Sequence, residues 1–314
     1  MQSATIIDWK SESANLLGKQ PVQLTHSLQC HPLFSETTLT RVLSRLDRSD
    51  YYVNTMNVDA HDASSRREGE LAGLSGEAIF QAVRQGRLWI LIQNPGKAET
   101  GYQDLLKSIY EEMHSHRPDF KSKFHKLTIL ISSPHVQVYY HCDIPGQTLW
   151  QVQGEKRVHL YPNKPPFLQQ SNLEKIALGE AHEISLPYNP AFDKHAQVFN
   201  LQPGRMLHWP LNAPHRIVNG DSMNISFTTE HFTPSERRSY YVNYANGLLR
   251  SRLGLRNLSL RTTGPSYGFK STLTASHRLF RKIGRYQRKL VVDFAVDPNA
   301  PNSIRDIPPH ELTL

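Results

Sequence analysis

The sequence predicts a mainly β protein, a sandwich or barrel with helices flanking it, and three observations carry that expectation. Past residue 126, short β-rich runs follow one another: KLTILISS, VQVYYH, TLWQVQG, KRVHLYP, AQVFNL, RMLHWPL, HRIVNG and NISFTTE, separated by Pro, Gly, Asn and Asp. Strands and helices do not alternate through this stretch, which disfavours a parallel doubly wound sheet. No self-similarity appears at periods of roughly 20–50 residues, so a solenoid is not expected.

The elements can be taken in order. PVQLTHSL reads as a short strand, with Val22 and Leu24 on one face. Ser35 is placed to cap a helix that carries Leu39, Val42, Leu43 and Leu46 at helical spacing. Residues 51–58, YYVNTMNV, alternate like a strand, and the polar and charged residues 59–73 read as a loop. Ser75 caps a helix that buries Ile79, Phe80 and Val83 and stops at Gly86. RLWILIQN follows as a buried strand. A helix from Thr100 then aligns Leu105, Leu106, Ile109 and Met113, and Pro118 lies beyond its end.

After the β region, Thr233, Pro234 and Glu236 make a capping box with a proline at the first helical position. Tyr240, Tyr241, Tyr244 and Leu248 follow along one side of that helix. Residues 271–290 read as a basic amphipathic helix. Its apolar stripe is Leu279, Phe280, Ile283, Tyr286 and Leu290, with Arg281, Lys282, Arg285, Arg288 and Lys289 elsewhere. Such a helix can lie on an anionic membrane, contact nucleic acid, or pack its stripe on the rest of the chain or on a second subunit; the last, with the basic face solvated, is the plain expectation. Residues 291–314 are proline-rich and read as an extended tail. The expected division is a β-barrel unit with its flanking helices over 1–235 and a basic helical extension with tail over 236–314.

Composition sets limits. Of 314 residues 38% are hydrophobic and 20% charged, a globular balance and not a disordered one. No apolar run approaches the ~18 residues of a membrane span. The start MQSATIIDWKSE lacks the basic and apolar regions of a leader, so none is expected. With only Cys30 and Cys142, the simpler expectation is a reducing compartment, the cytoplasm. The net charge of +8 is local. Between Arg250 and Leu290 there are eleven Lys or Arg and no acidic residue, which leaves the remainder at about −3. An anionic partner is therefore expected only at residues 250–290.

The chemistry-bearing pattern is His141-Cys142-Asp143, with His215 a further 72 residues beyond Asp143. Two imidazoles and one carboxylate can occupy one face of an octahedral Fe(II) and leave three positions open for a cosubstrate and O2. An H-x-D is weak evidence by itself: there are sixteen histidines, and His61-Asp62 is another pairing. The bland alternative is a surface turn after a strand. The surroundings favour the metal, because VQVYYHCD puts the pair at a strand end and GRMLHWPLNAPH puts a strand and a proline-bearing turn before His215.

HCDIPGQTLWQVQGEKRVHLYP resembles the core of the Jumonji-C or cupin-type Fe(II)- and 2-oxoglutarate-dependent oxygenases, the asparaginyl hydroxylases among them. The match runs through His141, Asp143, Gly154, Lys156, Arg157, Tyr161, Pro162, Gly204, Leu207, Pro210 and His215. It covers roughly residues 20–235, with clear motifs between 136 and 230. The resemblance implies a double-stranded β-helix (a jelly-roll or cupin barrel) with N-terminal helices and a C-terminal helical extension. It implies Fe(II) on His141, Asp143 and His215. It also implies 2-oxoglutarate as cosubstrate, decarboxylated to succinate and CO2 as a substrate C–H bond is hydroxylated.

It further implies that Lys156 pairs with the distal carboxylate of 2-oxoglutarate. By strand parity Lys156 shares an apolar face with Trp150, Val152, Val158 and Leu160, where a lysine needs an anion or loses its charge; the alternative is a strand-end lysine reaching solvent. Other oxygenases of this kind use an arginine about ten residues after the distal histidine. Here position 225 is Ile, which favours the lysine version.

Tyr139 and Gln137 share the parity of His141, and Thr148 sits early on the next strand; Tyr139 and Thr148 are the further cosubstrate candidates. The related asparaginyl hydroxylase has a threonine where this chain has Val138, so that contact is absent or supplied elsewhere. Trp150 and Trp209 read as core or pocket wall, Cys142 as pointing away from the metal, and His159, His195, His208 and His231 as satisfied histidines. The resemblance allows a homodimer through C-terminal helices. Two other classes stay open: a metal-binding cupin that uses neither 2-oxoglutarate nor O2, and a non-catalytic binding or regulatory protein acting through its basic helix. The substrate is open among a protein side chain, a small molecule, and a lipid or saccharide.

Overall fold

The structure is a computed structural model that describes residues 5–57, 63–283 and 289–313. The first third carries α1 (Ser11–Leu16), β1 (Val22–Thr25), α2 (Glu36–Leu43), β2 (Tyr51–Thr55), β3 (Arg67–Glu70), α3 (Gly76–Gln85), β4 (Trp89–Gln93) and α4 (Gly101–His116). The centre carries β5 (Lys123–Ser132), β6 (Gln137–His141), β7 (Gly146–Gln153), β8 (Lys156–Leu160), α5 (Gln170–Leu178), β9 (Gln197–Leu201), β10 (Arg205–His208), β11 (His215–Asn219) and β12 (Asn224–Phe232). The last part holds α6 (Pro234–Leu253), α7 (Gly264–Ile283), β13 (Lys289–Val296) and β14 (Ile304–Thr313).

These strands make two sheets. A ten-stranded sheet runs β1-β10-β7-β12-β5-β4-β2-β3-β13-β14, and a four-stranded antiparallel sheet runs β6-β11-β8-β9. Strand alternation sorts the side chains. Ile90, Ile92, Ile129, Ile131, Trp150, Ile225 and Phe227 face outward onto a core shared with Leu39, Phe80, Ile109 and Met113 of the helices. Leu149, Leu130 and Leu207 face inward and meet Val158, Leu160, Leu201 and Ile217 of the small sheet. The two facing layers enclose the jelly-roll interior, in which the candidate site lies.

All eight β runs of the central region form strands, and the helix caps are where the sequence puts them. Ser35 accepts from Thr38 N–H, Ser75 from Ala78 N–H, and the Thr233–Glu236 capping box is closed from both sides.

Three expectations need correction. Residues 291–314 are not an extended tail: β13 and β14 form a hairpin that joins the main sheet, with β13 parallel to β3. Val292, Phe294 and Val296 are buried, and the prolines that suggested coil, Pro308 and Pro309, sit on the edge strand, where a missing N–H costs no ladder bond. Second, the region read as a loop over 59–73 contains β3. Its RREGE has no apolar alternation. The strand exists because Glu68 is buried between Arg48 and Arg66, and because Gly69 leaves room for the Phe294 ring, which a Cβ would meet at 2.4 Å. Residues 59–62, with His61 and Asp62, lie outside the described residues.

Third, the basic helix runs from Gly264 to Ile283 and not over 271–290; Leu290 belongs to β13, and Arg285, Tyr286 and Arg288 lie outside the described residues. Of its apolar stripe, Leu279 and Phe280 do not pack inward. The face turned to α6 carries Lys270 and Thr274, both buried, and His277, while Leu279 and Phe280 are exposed. Thr274 Oγ1 donates to the Tyr241 carbonyl at 2.9 Å, and His277 Nδ1 lies 2.9 Å from the Tyr244 hydroxyl.

Candidate metal centre

Register brings the two histidines together. His215 at the start of β11 pairs directly with His141 at the end of β6, so residues far apart in sequence stand side by side, their ring centroids 4.1 Å apart. Asp143 follows two residues past the end of β6 and turns back to the same point, held from behind by Asn212 Nδ2, which donates to the Asp143 carbonyl at 2.5 Å. One ligand atom from each of His141, Asp143 and His215 lies within 4.8 Å of the others. No other group of three or more such side chains converges like this among the described residues.

The orientation of each imidazole is fixed from behind. His141 Nδ1 sits 2.7 Å from the Tyr139 carbonyl and His215 Nδ1 3.0 Å from the Ala213 carbonyl. Each Nδ1 therefore carries the proton, and each Nε2 lone pair points inward, as metal-ligating histidines require. The Nε2 atoms lie 3.8 and 3.4 Å from the carboxylate oxygens of Asp143. Asp143 Oδ2 is buried without a hydrogen-bond partner. A buried carboxylate oxygen in that state is costly unless something cationic meets it. Burial raises the Asp143 pKa well above the usual carboxylate range, the charges of Glu183 and Glu230 act in the same direction, and a hydrogen bond from Trp209 opposes them. Burial also lowers both imidazoles, His141 to about 4. Two neutral imidazoles and a carboxylate crowded by negative charge are the donor set of a non-haem Fe(II) site, so the residues fit the metal.

The small sheet braces His215 from outside. The neighbouring Arg216 points to the opposite face, where its Nη2 donates to Asp193 Oδ2 at 2.5 Å. Asp193 also accepts from the hydroxyls of Tyr161 and Tyr188. Burial pushes the Asp193 carboxyl up, but these three donors outweigh it and bring the pKa down to about 2. The sequence reading did not single out this cluster.

Lys156 enters the barrel interior at the start of β8 and is 1% exposed. Its Nζ donates to Ser226 Oγ on β12 at 2.7 Å and stands 4.8 Å from the centre of the Trp89 ring. Burial lowers the amine pKa to about 7. Thr128 Oγ1, on the inward face of β5, is buried and unpartnered. A buried amine that meets a hydroxyl and no carboxylate calls for an anion, so Lys156 fits the distal carboxylate of a 2-oxo dicarboxylic acid. Thr128 was missed because its strand reads as continuously apolar on either side of it.

The remaining candidates divide. Tyr139 faces inward beside His141, but its hydroxyl is engaged by Ser65 Oγ at 2.7 Å. Gln137, on the same face, donates to the Asn57 carbonyl at 3.0 Å. Thr148 is not brought to the site. It faces outward, in register with Thr229, and its hydroxyl meets His208 Nδ1 at 3.0 Å. The parity argument fails because β7 and β8 belong to different sheets. Gly154, in the left-handed region with φ 74°, turns the chain between them, so Trp150 and Val152 face the outer core while Lys156 faces inward. His208 and His231 stack on each other in the outer core, and Cys142 is buried away from the ligands in a third apolar cluster with Tyr140 and Tyr161.

No family model and no curated protein matches the sequence. Solved structures do. The chain is similar to the Escherichia coli protein YcfD, at 16% identity over 89% of this chain and 69% of that one, with a TM-score of 0.52. A second structure of YcfD, a ribosomal oxygenase in complex with cobalt and 2-oxoglutarate, aligns at 15% identity over 84% and 64% of the two chains, with a TM-score of 0.46. At this identity the likeness bears on the fold: the chain has the jelly-roll architecture and spans about two-thirds of the length of that protein.

Proposed function

We propose that this chain is an Fe(II)- and 2-oxoglutarate-dependent oxygenase that hydroxylates a C–H bond of a protein side chain or of a small or anionic molecule. The observation that carries the reading is the pair of sites inside one barrel: the His141–Asp143–His215 cluster, with an unsatisfied carboxylate oxygen, and the buried Lys156 amine, with no acidic partner. A metal cupin without a cosubstrate has no use for the second. The likeness of fold to YcfD, itself a ribosomal oxygenase, supports the reading by analogy.

When bound, Fe(II) would bring 2-oxoglutarate and O2 together, with O2 as the oxidant: one oxygen atom would go into succinate as the oxo acid loses CO2, and the other into the substrate C–H bond. The chain's own residues bind, orient and exclude water. His141, Asp143 and His215 would hold the metal by one face. The carbonyls of Tyr139 and Ala213 hold the imidazoles in the ligating tautomer. Lys156, with Ser226 beside it, would take the far carboxylate of the cosubstrate, and binding there restores the charge that burial removes from the amine. Tyr139 stands beside the ligands as a wall. Trp209, 4.7 Å from the His215 ring, helps keep the centre dry.

We assign catalysis to residues 1–235 and treat 236–314 as the extension, with its last hairpin returned to the sheet. The free cysteines, Cys30 exposed and Cys142 buried, support a reducing cytoplasm as its location. No helix among the described residues is long and apolar enough to cross a membrane. The acid-free stretch 250–290 supports an anionic partner, and the family resemblance allows a homodimer.

The test is cosubstrate binding. The Co(II)-loaded protein should bind 2-oxoglutarate with a change in its visible spectrum, and the Fe(II) form should release succinate under air. His141→Ala should do neither. Metal binding at the triad with no response to 2-oxoglutarate would leave a cupin of another kind.

A further inference from the structure

The C-terminal helices expose what the catalytic reading does not use. From Arg237 to Val292 the chain has thirteen Lys or Arg and no Asp or Glu. The helix α7 lies on α6 through its polar face, which leaves Phe269 61%, Leu279 60% and Phe280 76% exposed. The coil that leads into it exposes Leu253, Leu255 and Leu260 as well, interleaved with exposed Arg252, Arg256 and Arg261. At the C-terminal half of α7 a cleft of about 320 Å³ is lined by Tyr240, Tyr244, Arg278, Arg281 and Lys282 against the end of α5. The Arg278 guanidinium stands 5.4 Å over the Tyr240 ring, and Arg281 donates to the Leu178 carbonyl at 3.1 Å.

Six of the eleven exposed large apolar side chains among the described residues fall in one 28-residue stretch, which points to a surface that is covered in use. What covers it must be both apolar and negative. A second copy laid face to face on this surface would oppose Arg252, Arg256, Arg261, Arg278, Arg281 and Lys282 with the same six positive charges. A nucleic acid supplies phosphates and can stack on the two phenylalanines, but it gives four leucines no apolar partner. An anionic bilayer supplies both parts: headgroups for the arginines and the cleft, and the acyl boundary for Leu and Phe.

We propose that α7 and the coil 253–261 form a peripheral docking surface for an anionic phospholipid bilayer. The surface is independent of the metal centre, so it stands or falls apart from the oxygenase reading. The test is flotation of the full-length protein with vesicles of phosphatidylcholine, with and without about 30% phosphatidylserine. Binding should require phosphatidylserine and weaken as salt is raised. Leu279→Asp with Phe280→Asp should lower the affinity by at least roughly tenfold, and Arg278→Glu with Lys282→Glu should do the same. All four side chains are on the surface or at the cleft rim, so Co(II) affinity at the triad should be unchanged, which reports that the fold is intact.

Three results would overturn the proposal: no binding to phosphatidylserine vesicles at low salt; binding that survives the Asp substitutions, which would make it charge alone; or a solution dimer that Phe280→Asp dissociates. Tight binding of single-stranded RNA without vesicle binding would replace it with a nucleic-acid surface.

Discussion

Lys156 on β8 donates to Ser226 on β12 at 2.7 Å, a contact between the two sheets across the dry interior of the barrel. Burial depresses the amine pKa from 10.5 to about 7. The unfolded chain therefore binds a proton that the ligand-free fold gives up between these values. The stability contribution is complete above about 10.5 and lost as pH falls toward about 7. Lys156→Met should raise the melting temperature of the cosubstrate-free protein at neutral pH, by an amount equivalent to a few kcal/mol at most. The same substitution should cost about 100-fold or more in 2-oxoglutarate affinity by calorimetry, because it leaves a buried carboxylate unpaired. A variant less stable than the parent, with affinity intact, would remove Lys156 from the site.

Removal of any ligand should abolish tight metal binding. His141→Ala, His215→Ala and Asp143→Asn should each lower Co(II) affinity by more than about 100-fold, beyond the range seen for outer supporting groups. Circular dichroism should show the fold retained, since these residues lie at strand ends and carry little of the apolar core.

Ser65 is tied to the site through Tyr139. Its Oγ meets the Tyr139 hydroxyl at 2.7 Å, and the Tyr139 carbonyl fixes His141. Ser65→Ala and Tyr139→Phe should each weaken Co(II) binding by roughly tenfold. The double variant should be no worse than either single one if the two act as a unit.

The C-terminal hairpin is a part of the core. Phe294→Ala should destabilise the protein by about 3–5 kcal/mol in urea unfolding. Gly69→Ala should destabilise it by roughly 1–3 kcal/mol, because the new methyl would stand in the Phe294 ring. Wild-type stability in both would mean that β13 does not pack on β3.

Acid should unfold the protein through its buried histidines. Burial lowers His26 and His208 to about 4 and His231 well below its ordinary value. Depressed imidazoles contribute stability that is whole above about 6.5 and lost as pH falls, toward about 4 for His26 and His208, on the order of 3 kcal/mol at most for each of those two. The melting temperature should therefore drop steeply between those values, and His208→Gln should flatten the drop.

The sequence alone was sufficient where the signal is local. Each capping serine or threonine lies next to the amides it serves, and each central β run is β-rich and bounded by turn residues, so Ser35, Ser75, Thr233 and the eight central strands could be read directly. The triad was legible for a different reason: the metal chemistry admits few residue types, and the family resemblance supplied their order along the chain.

What tertiary structure decided was everything set by a distant partner. Thr148 and Lys156 part company because Gly154 turns the chain from one sheet to the other, and no one-strand parity rule sees that change. β3 became a strand because Phe294, more than two hundred residues away, packs over Gly69. Leu279 and Phe280 of α7 pointed outward because α6 offered hydrogen bonds to Thr274 and His277 in place of an apolar groove. Burial is a property of pairs of surfaces; a sequence displays one member of each pair at a time, and only the folded chain shows which one it meets.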